Sequence, residues 1–130
     1  MLIWGGRNNA SPFNDGARYN PTNNSWSPIT TAGAPSVRYR HSAVWTGNEL
    51  IIWGGWNDTS NLGDGARWNR QQNTWTRMSQ ANGPAGRRNH TAVWTGDAML
   101  VFGGTDATVP TDTRIHSYVP PRAMSLYLRP

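Results

Sequence analysis

An all-β chain, built of short four-stranded antiparallel sheets stacked side by side, is predicted by three observations. First, the chain repeats itself at a spacing of 49 residues: Trp4-Gly5-Gly6 returns as Trp53-Gly54-Gly55 and again as Phe102-Gly103-Gly104. Second, each unit alternates short runs of small, β-branched and aromatic residues with Gly, Pro and Asn turns, and no stretch carries a helical period of useful length. Third, one sheet of this size cannot bury both of its faces. Stacking equivalent sheets around an axis does bury them, which is the logic of a β-propeller. At this period the 130 residues hold about 2.7 blades.

The match between units runs well beyond the glycines. Asp15-Gly16-Ala17-Arg18 returns as Asp64-Gly65-Ala66-Arg67, and Trp26 as Trp75. Arg38, His41 and Ala43-Val44-Trp45-Thr46-Gly47 return as Arg87, His90 and Ala92-Val93-Trp94-Thr95-Gly96. Roughly 45% of positions are identical between the first two units. A residue present in every unit points to structure before catalysis.

The second unit, residues 38–86, shows why each element forms. Arg38 to Thr46 (RYRHSAVWT) ends in strand-forming residues. Gly47-Asn48 is a hairpin signal between apolar runs. Glu49 to Trp53 (ELIIW) is short and continuously apolar, as a strand covered on both faces should be. Gly54-Gly55 ends it, since glycine accepts positive φ and close backbone approach. After the polar loop Trp56 to Gly63, Asp64 to Asn69 (DGARWN) reads as a third strand. Arg70 to Asn73 is a turn, and Thr74 to Met78 (TWTRM) a fourth strand. The first unit, residues 1–37, enters at the second of these strands and so lacks the inner one. The third spans residues 87–130. Trp26, Trp75, Trp45 and Trp94 are the expected packing residues between sheets, each able to bury ~150–250 Å².

Composition narrows the function. There is no run of ~20 apolar residues, hence no membrane span, and no secretory signal pattern at the N-terminus. Cysteine is absent, which removes disulfides, thiolate metal sites and cysteine nucleophiles together. The compartment stays open, with a lean towards an exported protein. The net charge is +5, and all twelve basic residues are arginine. They are scattered singly apart from Arg38-Tyr39-Arg40 and Arg87-Arg88, so no nucleic-acid surface is expected.

An apolar strand ending in Gly-Gly, then an aromatic (Tyr19, Trp68), then a tryptophan seven residues on (Trp26, Trp75), resembles the kelch repeat. Arg-x-x-His before Ala-Val-Trp (Arg38/His41, Arg87/His90) resembles its bacterial version. The third unit departs from the pattern, with Met124 in place of the tryptophan and Met124 to Leu128 reading as a last outer strand. That ending resembles the C-terminal unit of bacterial kelch-type proteins and implies a natural C-terminus. Kelch domains usually close with five to seven blades. The resemblance therefore implies partners: further blades of the same protein, copies of this chain in a ring, or copies joined head-to-tail as a filament.

Functional residues are sought where the units differ. One variable loop follows Gly-Gly (Arg7 to Asn14, Trp56 to Gly63, Thr105 to Asp112), and the other precedes the inner strand (Thr30 to Val37, Ser79 to Gly86). In an up-and-down blade both emerge on one face, a rigid scaffold carrying variable loops. Arg7, Trp56, Asp58 and Asp106 are the binding candidates there. Trp56 either stacks on a sugar ring or anchors a protein, or else folds back over the glycine turn. His41 and His90 are read as structural, hydrogen-bonded to a neighbouring strand or loop. His116 stands apart from them, and no metal or other cofactor is assigned. Asp15 and Asp64 are read as partners of loop amides or arginines. The expectation is a non-catalytic module that binds protein or glycan. A self-assembling structural subunit is the first alternative, and part of a sugar-acting propeller enzyme the second. The kelch-type oxidase of galactose needs a cysteine-linked tyrosine, which this chain cannot supply. A mutarotase-like site would need polar groups from several blades.

Overall fold

The structure, a computed structural model, describes residues 1–81, 83–106 and 115–120. The described residues form ten strands in three antiparallel sheets. The first sheet holds β1 (Leu2–Trp4), β2 (Gly16–Asn20) and β3 (Ser25–Pro28) in that order. The second holds β4 (Ser42–Trp45), β5 (Glu49–Trp53), β6 (Gly65–Asn69) and β7 (Thr74–Arg77), and is the complete four-stranded meander that the repeat predicts. The third holds β8 (Thr91–Trp94), β9 (Met99–Phe102) and β10 (Ile115–Tyr118). The expected strand Met124 to Leu128 and Asp112 lie outside the described residues.

One strand is shorter than its sequence suggests. Arg40 takes a left-handed φ of 56°, so the run from Arg38 to Thr46 breaks there. Tyr39 forms a bridge with Trp56 before the break, and β4 starts at Ser42 after it. Asn89 makes the same break before β8, with the same φ. A bond between the sheets accompanies the two breaks, as Asn89 N–H donates to Arg40 C=O at 3.2 Å.

The sheets pack face to face in the manner of successive propeller blades. Strand side chains alternate between faces. Leu50 and Ile52 of β5 therefore join Trp4, Ile29 and Trp68 in a core against the first sheet. Ile51 and Trp53 join Val44, Met78, Met99 and Val101 in a second core against the third. All four apolar residues of β5 are buried, as its unbroken apolar run requires.

Trp75 seals the first junction. Its ring meets that of Trp4 edge-on at 5.6 Å, and its Nε1 donates to the Thr30 carbonyl at 2.7 Å. Asn73, in the left-handed region where asparagine is tolerated, accepts from Trp68 Nε1 at 2.9 Å and from Thr30 N–H at 3.3 Å. Trp26, the equivalent of Trp75, stacks only on Tyr19 and is 49% exposed. No described sheet covers its outer side.

Backbone bonds stitch the sheets at the end that carries the long loops. Gly6 N–H donates to Arg38 C=O at 2.9 Å, and the equivalent Gly55 N–H to Arg87 C=O at 2.8 Å. Arg38 N–H donates to Phe13 C=O and Arg87 N–H to Leu62 C=O, at 3.0 and 3.1 Å. The short turns lie at the opposite end, where Arg70 N–H reaches Asn48 C=O.

Candidate functional site

The long-loop end brings side chains from all three sheets together. Its base is the Tyr39–Trp56 bridge, with reciprocal backbone bonds of 2.8 and 3.0 Å. Beyond it, Asn57 Oδ1 accepts from the amides of Thr59 and Ser60 and tightens the loop, as Asn8 does in the first sheet. Asp58 is thereby held at a left-handed φ of 72°. Its carboxylate accepts from Tyr39 Oη at 2.8 Å and pairs with Arg7 of the preceding sheet at 3.7 Å.

Aromatic faces on this surface are covered by cations. The Arg7 guanidinium lies 4.9 Å from the Tyr39 ring centre and that of Arg40 5.5 Å from it. Arg88 of the third sheet lies 4.1 Å from the Trp56 ring, within cation–π range. Arg7, Trp56 and Asp58 thus meet in one cluster. Asp106 opens the third loop, at the repeat position of Asn8 and Asn57, and is half-buried. Sequence reading missed Tyr39, Arg40 and Arg88. The two basic clusters Arg38-Tyr39-Arg40 and Arg87-Arg88 carried the signal. Alternate residues in an extended run point opposite ways, so Arg38 and Arg87 turn inward while Tyr39 and Arg88 line the surface, and Arg40 joins them because its left-handed φ of 56° breaks the alternation.

Arg38 and Arg87 are buried. Arg38 forms a two-pronged pair with Asp64, with Nη2 at 3.0 Å from both carboxylate oxygens, and its Nη1 reaches the carbonyls of Gly54 and Asp64. Arg87 Nη1 donates to the equivalent Gly103 carbonyl at 3.1 Å. The histidines lie in the sheet junctions. His41 sits edge-on to Trp4 at 5.5 Å, and His90 edge-on to Trp53 at 5.0 Å. His90 Nε2 lies 2.9 Å from Ser42 Oγ on the neighbouring inner strand.

The family model for the KLHDC2/KLHL20/DRC7 Kelch-repeats domain matches residues 1–120. The chain belongs to the kelch-repeat family. Kelch repeats form β-propeller modules that are generally non-catalytic and commonly mediate protein interactions. No curated protein matches the chain. No helix among the described residues is long and apolar enough to cross a membrane.

In this kelch chain both junction histidines are held neutral. Burial first, then the Arg38 guanidinium, pushes His41 from 6.5 down to about 4. Burial first, then Arg87 and His41, does the same to His90. Folded-state pKa values below the unfolded value mean that the unfolded chain takes up protons first as pH falls. Stability is therefore full above pH 6.5 and is lost progressively down to about pH 4. Urea midpoints measured at pH 7 and pH 5 should fall accordingly. Equal midpoints would mean the histidines do not sit in these junctions.

Proposed function

We propose that the chain is a non-catalytic kelch module that holds a protein partner on its long-loop face. The binding surface is the cluster of Arg7, Tyr39, Arg40, Trp56, Asp58 and Arg88. The observation that carries this reading is the run of guanidinium groups over aromatic rings, continuous across three sheets. Tyr, Trp and Arg are the residue types that dominate binding energy at protein interfaces. The backbone bridge beneath them lowers the ordering cost of association. The geometry favours protein over glycan. Arg88 occupies a face of Trp56 on which a sugar ring would stack, so the surface offers fixed donors rather than a bare aromatic platform.

The test is selection from phage-displayed peptides alongside a glycan array, with the intact chain as bait. Arg7→Ala and Trp56→Ala should weaken the selected peptides by about tenfold or more, while Asn48→Ala at the opposite end leaves them unchanged. Peptides indifferent to Arg7 and Trp56, or glycans alone retained, would overturn the reading.

A second reading, end-to-end self-association, is favoured by the two outer sheet faces. Ile3 is 51% exposed where its equivalent Ile52 is 0%, and Phe102 is 50% exposed where Trp53 is 5%. Both junctions inside the chain cover these positions, and a further kelch sheet, of the same protein or of a second copy, would cover each outer face in the same way. On this reading light scattering behind size exclusion finds a multimer that Ile3→Asp dissociates. A wild-type monomer would remove it.

A further inference from the structure

Arg40 is an exception within its own repeat. Its left-handed φ of 56° is shared by the equivalent Asn89, and each of the two residues marks the break before an inner strand. Asparagine visits that region readily, whereas a long side chain without a local hydrogen bond to offer is disfavoured there. The break therefore asks for a residue such as asparagine, and the third unit supplies one. Arginine at position 40 adds backbone strain that the fold does not require. Strain of this kind persists where the side chain serves a function.

The Arg40 side chain is exposed, and its charge has no counter-ion. Two guanidinium groups share the Tyr39 ring, Arg7 at 4.9 Å and Arg40 at 5.5 Å from its centre. The one carboxylate beside them, Asp58, accepts from Tyr39 Oη at 2.8 Å and pairs with Arg7 at 3.7 Å. Among the described residues Arg40 has neither an ion pair nor a side-chain hydrogen bond, only its contact with the ring. Its donors are thus unused, next to a tyrosine and an aspartate already held in place. A single guanidinium fork matches the two oxygens of one carboxylate. Phosphate recognition draws on clustered arginines, and here the second arginine is engaged by Asp58.

We infer that Arg40 is the specificity-determining residue of the long-loop face, selecting a protein segment that presents an Asp or Glu side chain to it. The inference rests on that face being the binding surface. Tyr39 is bridged to Trp56, so Arg40 lies at the middle of the cluster, between Arg7 of the first sheet and Arg88 of the third. A segment laid across three sheets meets Arg40 with its interior, hence with a side-chain carboxylate and not with a chain end. The left-handed backbone is what brings the guanidinium to the surface beside Tyr39, so the strain and the exposed charge have one origin.

The experiment compares the intact chain with Arg40→Asn, which installs the residue that the repeat itself places at this φ. The probes are pools of short fluorescein-labelled peptides, amidated at the C-terminus, with Glu, Gln or phosphoserine fixed at a central position and the rest varied. Binding is read by anisotropy. The wild-type chain should hold the Glu pool about tenfold more tightly than the Gln pool, the loss of one charge-assisted contact. In Arg40→Asn that preference should vanish, while the urea midpoint stays at or above that of wild type because the strain is relieved. Trp56→Ala should weaken both pools alike. A Glu preference that survives Arg40→Asn, phosphoserine held more tightly than Glu, or binding only after the C-terminal carboxylate is freed would overturn the inference. So would a urea midpoint that falls in Arg40→Asn, since arginine would then suit the backbone there. Binding that needs Trp56 but ignores Glu would sink this inference and leave the long-loop reading standing. Absence of any binding controlled by Trp56 would remove both.

Discussion

Replacing Arg38 by alanine lowers stability by about 3 kcal/mol, through the buried volume it vacates and the Gly54 and Asp64 carbonyls it leaves unpaired, while the Asp64 carboxylate, 36% exposed, turns to water. Arg38 is fully buried and uses all its nitrogens. Nε donates to the Ser36 carbonyl, Nη1 to the Gly54 and Asp64 carbonyls, and Nη2 to Ser36 Oγ and both Asp64 oxygens. It ties the loop before β4 to the glycine exit of β5 and to the start of β6, which Gly54 N–H and Asp64 C=O already join at 3.1 Å. Arg38→Lys should recover little of the loss. A single ammonium has three donors at one point and cannot reproduce a planar fork. Urea denaturation of the two variants tests this, and a lysine variant as stable as wild type would show that charge alone, without the fork, suffices.

Gly54→Ala should cost at least twice what Gly103→Ala costs. The two glycines have nearly the same left-handed φ, 69° and 67°. Both replacements therefore carry the backbone penalty of about 1–2 kcal/mol for an L-residue in that region. They differ in what a methyl group meets. At Gly54 it would lie 2.7 Å from His90 Cε1 and 2.9 Å from the Arg87 carbonyl oxygen, so the second and third sheets must separate. At Gly103 no described atom lies within 4 Å. Thermal melts of the two single variants provide the comparison. Equal losses would mean that the glycine turn does not dock on the neighbouring sheet as described.

Much of the fold was legible because the repeat turns three weak signals into one strong one. ELIIW alone is ambiguous, but its return as MLVF before another Gly-Gly leaves a buried strand as the consistent reading. Two features were not legible. The break at Arg40 depends on a left-handed residue that neither arginine nor its local sequence favours, and is accompanied by a bond from Asn89 one repeat away. The packing roles of Trp26 and Trp45 depend on which neighbours are present. Trp26 and Trp75 share a motif, yet only Trp75 has Trp4 and Thr30 beside it. In the candidate site, variability between loops pointed to Arg7, Trp56 and Asp58. Tyr39 and the two arginines beside buried Arg38 and Arg87 were hidden, because direction within a two- or three-residue run depends on a register that only the bridges reveal.

The junctions between sheets also bear on how such a chain arises. Each is made by the same few parts, a glycine amide on one unit and an arginine carbonyl on the following one, at 2.9 and 2.8 Å in the two instances. A gene segment copied in tandem therefore carries both halves of its own joint. The first duplicate docks without any new contact having to evolve, and selection is left free to work on the loops. The loops after Gly-Gly have diverged (RNNASPFN against WNDTSNLG) while the joint between them has been kept, which is the history such a modular connector permits.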